Sequence, residues 1–371
     1  MRIINQIPDI THFTTLRDTC FYYDEFEFGK IENGIKKTIL KSEHKFYFRF
    51  ADTSKYILFH QYRQKINLFY DILCDTFVDD LFDEKFKQGM CSFGDFNKSD
   101  GKYMCLVNQY TPETVLFDLE KKEVIWSQNR YIGFDIVPSK SENNHKISLL
   151  GYNFNETPII VKYSFNDGNV EWRFEMPPEY DWEEKTYSGK IEFHKCQIVL
   201  TLGCFENILW FALNSGILIG LSLETGKIET KFTPPESFPF RTGFSSRHIL
   251  DEDNGMIFGL SYHYYWELDL KKTPLSMTLF DISETTQKNE MIIRLPQKLP
   301  YERNKIFMGD ISGWVGNKIG IFDRITKQIV WTAQTNRDPS NCKPAVQKIE
   351  YSNNKLYVLD GLNTLIIYEM D

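Results

Sequence analysis

The chain has 371 residues, of which 42% are hydrophobic and 25% are charged, and its formal net charge is −8 at pH 7. This composition is typical of a globular protein with a sizeable core, and the acidic balance disfavours sequence-independent nucleic-acid binding, which depends on clustered Lys and Arg. The N-terminus has no apolar export segment, and no run of about 18 apolar residues predicts a membrane span, so we expect no nucleic-acid partner and no membrane association.

The cysteine content indicates a reducing compartment. There are seven cysteines, an odd number, and no two of them form a CxxC pair. Combined with the missing export signal, this pattern predicts free thiols and a cytoplasmic location.

The residue types favour strands over helices. Aromatic residues make up 15% of the chain, with 30 Phe and 20 Tyr, whereas Ala occurs only four times. Aromatic side chains suit a pleated, half-buried surface, and Ala is the strongest helix former. The composition therefore predicts an all-β fold.

Residues 1–45 are predicted to be an N-terminal closing segment, and residues 46–371 a series of repeats. The segment offers two spare strands, RIINQI and KKTILKS. The stretch FYYDEFEFGKIENGIKKTIL also reads as a hairpin. It is either part of the closing segment or one additional repeat.

A degenerate repeat begins after this segment. Each copy reads as a strand, a polar turn and a second strand, with Asp167-Gly168 or Thr225-Gly226 in two of the turns, where positive φ angles are needed. Four stretches align without gaps and a fifth aligns loosely: FDLEKKEVIW (117–126), YSFNDGNVEW (163–172), LSLETGKIET (221–230), FDRITKQIVW (322–331) and, loosely, LDLKKTPLSM (268–277).

Two weaker copies extend the series to seven anchor positions. The anchors are Phe69, Phe117, Tyr163, Leu221, Leu268, Phe322 and Ile367. They recur about every 45–58 residues, close to the length of one four-stranded propeller blade. We therefore predict a single β-propeller domain over residues 1–371, with seven four-stranded blades, or eight if the N-terminal hairpin counts. Because the last copy lacks an outer strand, a strand of the N-terminal segment is expected to complete that blade.

The hairpins resemble the repeat of PQQ-like β-propellers, the quinoprotein alcohol dehydrogenase-like family. The resemblance lies in the Thr225-Gly226 turn and in the copies that end in Trp126, Trp172 and Trp331. It implies that these three Trp dock between adjacent blades. Enzymatic members bind a quinone and calcium and are usually exported. This chain lacks the export signal, a vicinal cysteine pair and an alignable cofactor motif, so we predict a non-catalytic member without a cofactor.

Two loops between repeats are the predicted partner-binding surfaces, because aromatic side chains on stiffened loops make effective binding hot spots. The first, MPPEYDWEEKTY (176–187), lies in the longest spacing between anchors. The second, PPESFPFRTGFSSRH (234–248), can alternatively fold back over blade edges. The candidate residues are Tyr180, Asp181, Trp182, Glu183, Glu184 and Tyr187 in the first loop, and Phe238, Phe240, Arg241 and Phe244 in the second.

One further pattern contains residue types that bind metals. His194, Cys196 and Cys204 fall within the strand-like stretch IEFHKCQIVLTLGCF. A structural zinc site takes four ligands of these types, and only three are present. The sequence therefore predicts no metal site here and half-buried strand residues in its place.

Three functions are compatible with this sequence. The first is a non-enzymatic, protein-binding propeller, for example a cytoplasmic immunity protein that neutralises a basic toxin domain. The second is an enzyme, a PQQ-like dehydrogenase or another enzyme with its site in the central channel. The third is a scaffold subunit of a larger complex. The first is our interpretation, because motifs for nucleophilic or phosphate chemistry are missing.

Overall fold

All seven anchor residues lie in the third strand of a four-stranded antiparallel sheet. The computed structural model describes residues 1–49, 55–61, 66–78, 90–92, 102–108, 111–141, 144–153, 157–185, 188–235, 238, 248–293, 300–309, 317–336 and 345–370. Within these ranges the repeat seen in the sequence is a sheet of antiparallel strands with short turns. The chain is therefore an all-β protein, a β-propeller.

The strands are, in chain order, β1 (Arg2–Ile7), β2 (His12–Leu16), β3 (Thr19–Tyr23), β4 (Glu27–Glu32), β5 (Ile35–Lys41), β6 (Tyr47–Arg49), β7 (Tyr56–Gln61), β8 (Ile66–Asp71), β9 (Thr76–Val78), β10 (Met90–Ser92), β11 (Tyr103–Asn108), β12 (Thr114–Asp118), β13 (Glu123–Gln128), β14 (Asp135–Ser141), β15 (Asn144–Asn153), β16 (Ile159–Tyr163), β17 (Val170–Glu175), β18 (Trp182–Lys185), β19 (Ile191–His194), β20 (Ile198–Phe205), β21 (Ile208–Leu213), β22 (Leu218–Ser222), β23 (Ile228–Phe232), β24 (His248–Asp251), β25 (Met256–Ser261), β26 (Tyr264–Asp269), β27 (Met277–Asp281), β28 (Tyr301–Glu302), β29 (Lys305–Gly309), β30 (Lys318–Asp323), β31 (Gln328–Gln334), β32 (Val346–Ser352), β33 (Lys355–Asp360) and β34 (Leu365–Glu369). An α-helix, α1 (Ser283–Lys288), follows β27.

The described strands build eight blades, so the predicted number of seven is wrong and the alternative of eight is right. Seven blades use four consecutive strands each, and the eighth has the order β1-β34-β33-β32. The blade left out of the predicted count is β2–β5, which occupies most of the segment assigned to closure. Its third strand, EFGKIE, is more polar than the other copies and its hairpin lacks the terminal Trp, so the repeat was hard to recognise there.

The N-terminal strand completes the last blade, as predicted. Strand β1, the stretch RIINQI, pairs antiparallel with β34 from Arg2 opposite Glu369 to Ile7 opposite Leu365. The guanidinium of Arg2 also donates to the carboxylate of Glu369, at 2.6 Å. The two ends of the chain therefore share one sheet.

The blades fall into two compact units. Residues 1–43 and 247–371 form one unit with the blades β24–β27, β28–β31, β32–β34 with β1, and β2–β5. Residues 44–246 form the other, with the blades β6–β9, β10–β13, β14–β17 and β20–β23. Within each unit the second and third strands of the blades are the most apolar and supply most of the buried residues.

A polar residue in each aligned copy explains why its turn is tight. Asp118 accepts backbone hydrogen bonds from Glu120 and Lys121, at 2.9 and 3.0 Å. Asp323 does the same in its own copy, and Ser222 takes this position in a third. Short side-chain oxygens that bond to nearby backbone N–H groups favour turns, so the second letter of each copy shapes its hairpin.

Tryptophans of outer strands dock on the next blade in residues 44–246. The indole N–H of Trp126 donates to the carbonyl of Phe165, at 3.0 Å, and that of Trp172 to the carbonyl of Leu223, at 3.1 Å. Both acceptors lie in or beside the outer turn of the following blade. A Cβ added to Gly226, whose φ is +67°, would lie 2.6 Å from the Trp172 ring. Glycine is therefore required there for conformation and for space.

Other contacts join neighbouring blades in the unit formed by residues 1–43 and 247–371. The ring of Trp331 meets Tyr368 edge-to-face, with centroids 5.3 Å apart. Between the blades β24–β27 and β28–β31, buried Arg324 pairs with Asp251 at 3.1 Å and lies 4.0 Å over the Phe258 ring. The blades are thus joined by aromatic packing or by a buried cation.

Substituting Gly226 tests the tryptophan docking. Gly226→Ala places a methyl group against the Trp172 ring and imposes positive φ on a residue with a Cβ, so we expect a loss of about 2–3 kcal/mol. Gly189→Ala is the matched control, because Gly189 also has positive φ but nothing lies within 4 Å of its added Cβ. Urea unfolding followed by tryptophan fluorescence would measure both. Equal shifts in the two midpoints would contradict the docking.

Candidate protein-interaction hairpin

The longest anchor spacing comes from an insertion between two blades. The segment between β17 and β20 holds a short 3-10 helix (Pro178–Tyr180) and a separate two-stranded sheet, β18 with β19. We call this two-stranded sheet the insertion hairpin. Pro177 is extended and Pro178 begins the 3-10 turn, so the entry to the hairpin is stiffened by two restricted φ angles.

The base of the insertion hairpin is anchored by a buried tyrosine. Tyr180 is only 9% exposed and belongs to the apolar cluster formed by the blades β14–β17 and β20–β23. The ammonium of Lys231, on β23, lies 5.0 Å from the centre of its ring. Burial raises the pKa of Tyr180, which keeps the phenol neutral. The side chain therefore fixes the hairpin to the blade core.

Polar contacts hold the two ends of the hairpin together. The carboxylate of Asp181 accepts from the backbone N–H of Cys196, at 2.8 Å, and lies 3.7 Å from the ammonium of Lys195. Asn214, in the turn between β21 and β22, donates to the Lys195 carbonyl at 2.9 Å and accepts from the Gln197 N–H at 3.0 Å. The entry and exit strands thus leave the blade as a fixed pair.

One face of the hairpin is closed by its own side chains. Trp182 and His194 face each other across the two strands and their rings stack 4.6 Å apart. The imidazole of His194 lies 3.6 Å from the carboxylate of Glu184. Glu192 on the same face is 3.6 Å from the ammonium of Lys190. The indole N–H of Trp182 and Nε2 of His194 are buried here without a hydrogen-bond partner among the described residues.

The opposite face is open, and its four positions are Glu183, Lys185, Ile191 and Phe193. Ile191 and Phe193 are 63% and 65% exposed, and both point to this face because side chains alternate along β19. Exposed Glu183 lies directly across the ladder from Phe193. An exposed apolar pair on an anchored hairpin is a feature of protein-interaction surfaces.

The structure assigns different positions to the residues predicted in the first loop. Tyr180 and Asp181 lie at the base and anchor the hairpin, so Tyr180 is not exposed as a partner contact would need to be. Trp182 and Glu184 lie on the closed face and Glu183 on the open face. Tyr187 lies outside the described residues.

The second predicted loop is described only in part. Phe238 is 4% exposed and its N–H donates to the carbonyl of Pro235, at 3.0 Å. Phe238 itself is therefore not exposed to a partner. Phe240, Arg241 and Phe244 lie outside the described residues.

Sequence reasoning missed Ile191 and Phe193. The signal was the alternation in IEFH, directly after a Ser-Gly-Lys turn, which is typical of a strand with one polar and one apolar face. The apolar face was taken to be half-buried. Only the position of the strand, on an inserted hairpin, shows that this face is exposed.

The three residues weighed as metal ligands have separate roles. His194 stacks on Trp182, while Cys196 and Cys204 are buried in the apolar cluster. Burial, with a smaller contribution from the carboxylate of Asp181, raises the pKa of the Cys196 thiol to about 12. The thiol is therefore protonated at neutral pH, whereas a metal ligand or nucleophile would be the thiolate. Across the described ranges, no three His, Cys, Asp or Glu side chains are arranged to hold a metal ion.

Among the helices in the described part of the chain, none is long and apolar enough to cross a membrane.

Comparison with known proteins supports the fold. No family model and no curated protein sequence matches the chain. Solved structures match over its whole length: Sqt1 of Saccharomyces cerevisiae, with 11% identity, 99% of that chain covered and a TM-score of 0.58; the C-terminal WD40 domain of Sif2, with 10% identity, 98% covered and a TM-score of 0.55; and BamB from Moraxella catarrhalis, with 11% identity, 99% covered and a TM-score of 0.52. At these identities the likeness shows the β-propeller fold alone.

Removing the Asp181 carboxylate should loosen the insertion hairpin without unfolding the blades. Asp181→Ala leaves the Cys196 N–H without its acceptor, a loss of about 1–2 kcal/mol of local stability. Hydrogen exchange of the peptides that cover β18 and β19 should become faster while the global unfolding midpoint changes little. Glu183→Ala, on the open face, is the control and should leave exchange unchanged. Equal protection in both variants would show that Asp181 does not anchor the hairpin.

Proposed function

We propose that this protein is a non-enzymatic binding module that engages another protein through the open face of the insertion hairpin. The observation that carries the proposal is the exposure of Ile191 and Phe193 side by side on a projecting two-stranded sheet. Loops and insertions on a rigid scaffold are the usual carriers of function.

Two adjacent apolar side chains contribute more binding free energy than a single exposed one. Burying an exposed Phe or Ile contributes about 1.5–3 kcal/mol each, so two together can anchor a partner. Contacts of Tyr180, Asp181 and Asn214 hold the base in place before binding. Binding to this surface therefore costs less conformational entropy than binding to a free loop.

The more specific forms of the function remain proposals. We propose a cytoplasmic immunity protein that neutralises a basic toxin domain as one such form, supported by the acidic chain charge of −8 and by the open face. Docking of Trp126 and Trp172 on the following blade supports kinship with the PQQ-like propellers. A scaffold subunit would use the same surface with more partners. The dehydrogenase alternative has no described residue that favours it.

Site-specific photo-crosslinking tests the proposed surface. Benzoylphenylalanine at Phe193 should give one adduct of defined mass in native lysate, and the same probe at Ile325 should not. Ile325 is 69% exposed and lies in the turn between β30 and β31, so it is a matched apolar control. Ile191→Ser should weaken the adduct severalfold without changing the melting temperature, because it removes about half of the apolar contact.

The same experiment can contradict the proposal. Identical adducts from both positions would indicate non-specific hydrophobic contact. Adducts with chaperones alone would indicate that Phe193 is recognised as an unfolded segment and not as a docking surface.

A further inference from the structure

We propose that His248 is an acid-sensitive latch: its neutral imidazole ties strand β24 to the core of its blade, and protonation of the ring releases that strand. His248 lies on β24, and the side chain that it contacts, Trp266, lies on β26 of the same blade. Of the histidines in the same compact unit, His12 is exposed, His263 is half-buried and His248 is buried. Protonation of His248 therefore has to place a charge inside the blade.

The register of three strands brings the two rings together. His248 on β24 is opposite Gly259 on β25, and Gly259 is opposite Trp266 on β26. Residues directly opposite one another lie on the same face of a sheet. Because the middle residue has no side chain, the two large side chains on either side of it can meet above it. Their rings lie edge-to-face, with centroids 5.7 Å apart.

The hydrogen bond between the rings fixes the protonation state of the imidazole. The indole N–H of Trp266 donates to Nδ1 of His248, at 3.2 Å. An indole can only donate, so Nδ1 carries a lone pair and the proton of the neutral ring is on Nε2. An imidazolium has an N–H group at both positions. Protonation therefore replaces this hydrogen bond with two donors that face each other.

Burial adds to the cost of charging the ring. His248 is 3% exposed, and burial lowers its pKa from the ordinary 6.5 to about 3. When β24 opens, the imidazole meets water and regains a pKa of about 6.5. Between these two values the open state binds a proton that the closed state does not bind. The closed state is therefore fully favoured above about pH 6.5 and loses stability as the pH falls below this value.

Two ionisable side chains of strands β24–β27 share the sheet face of His248, Tyr264 and Asp281, and the others lie on the opposite face. Asp281 is exposed, and its carboxylate accepts from the backbone N–H of Ser283, at 2.8 Å. The opposite face carries the ion pairs to the turn between β30 and β31, which are Asp251 with Arg324 and Glu267 with Lys327, each at 3.1 Å. On the described strands of this blade, no carboxylate lies beside the imidazole.

Strand β24 is the element that a charged His248 would release. It has four residues, His248–Asp251, and lies at the edge of its sheet. Side-chain contacts hold both of its ends, His248 with Trp266 and Asp251 with Arg324. Local opening requires less free energy than global unfolding, so loss of the first contact should free the start of β24 before the unit unfolds.

Hydrogen exchange of the full-length protein at pH 7.5 and pH 5.5, corrected for the intrinsic effect of pH, tests the latch. Peptides that cover β24 and β25 should lose about tenfold in protection at the lower pH, the shift expected for one proton bound near pH 6.5 in the open state. His248→Gln should remove this loss, because an amide oxygen can accept from Trp266 but does not titrate. His12→Gln, at an exposed histidine on β2, should keep the wild-type response.

An equal loss of protection in His248→Gln and in the wild type, or no loss in the wild type, would overturn the latch. A measurement without a substitution covers the case in which His248→Gln does not fold. In the wild type labelled with 15N-histidine, NMR at pH 7.5 should show the Nε2–H tautomer for His248. An Nδ1–H tautomer, or an imidazolium in the folded protein at pH 5.5, would contradict the hydrogen bond on which the latch depends.

Discussion

Each blade has two apolar faces, and burying both is the constraint on which the rest of the structure depends. A four-stranded sheet whose inner strands read ILWFAL and LIGLS, as β21 and β22 do, cannot face water on either side. Stacking sheets against one another covers both faces and leaves only short edges. Trp172 secures this stacking at the outer edge, since its indole both packs on the Gly226 turn and donates to the Leu223 carbonyl.

Where the tryptophan is absent, a different side chain makes the contact between neighbouring blades. Asn5, on outer strand β1, lies against Gly34 in the turn between β4 and β5, and Arg324 joins two blades through Asp251. The insertion hairpin depends on the same packing, because Tyr180 enters the cluster shared by two neighbouring blades. A rigid array of sheets is thus what turns a marginal two-stranded hairpin into a fixed surface for Phe193.

Much of the fold could be predicted because the periodic signal is local. Polar caps such as Asp118 and the apolar third strands repeat along the chain, and every anchor chosen from the sequence lies in a third strand. The number of blades was missed because Gly29 and Lys30 make β4 unlike the other copies, although the stretch was recognised as a candidate hairpin. The site was harder to predict, since exposure is decided by neighbours distant in sequence. Tyr180 and Phe193 are both aromatic residues near one loop, yet only the packing of two blades buries the first and leaves the second exposed.

A double-mutant cycle between Trp172 and Gly226 tests the central claim most directly. If the indole packs on this turn, Gly226→Ala should cost much less in a Trp172→Ala background, with a coupling energy of about 1–2 kcal/mol in urea unfolding. Strictly additive losses would show that the two residues do not touch, and the proposed means by which one blade holds the next would be contradicted.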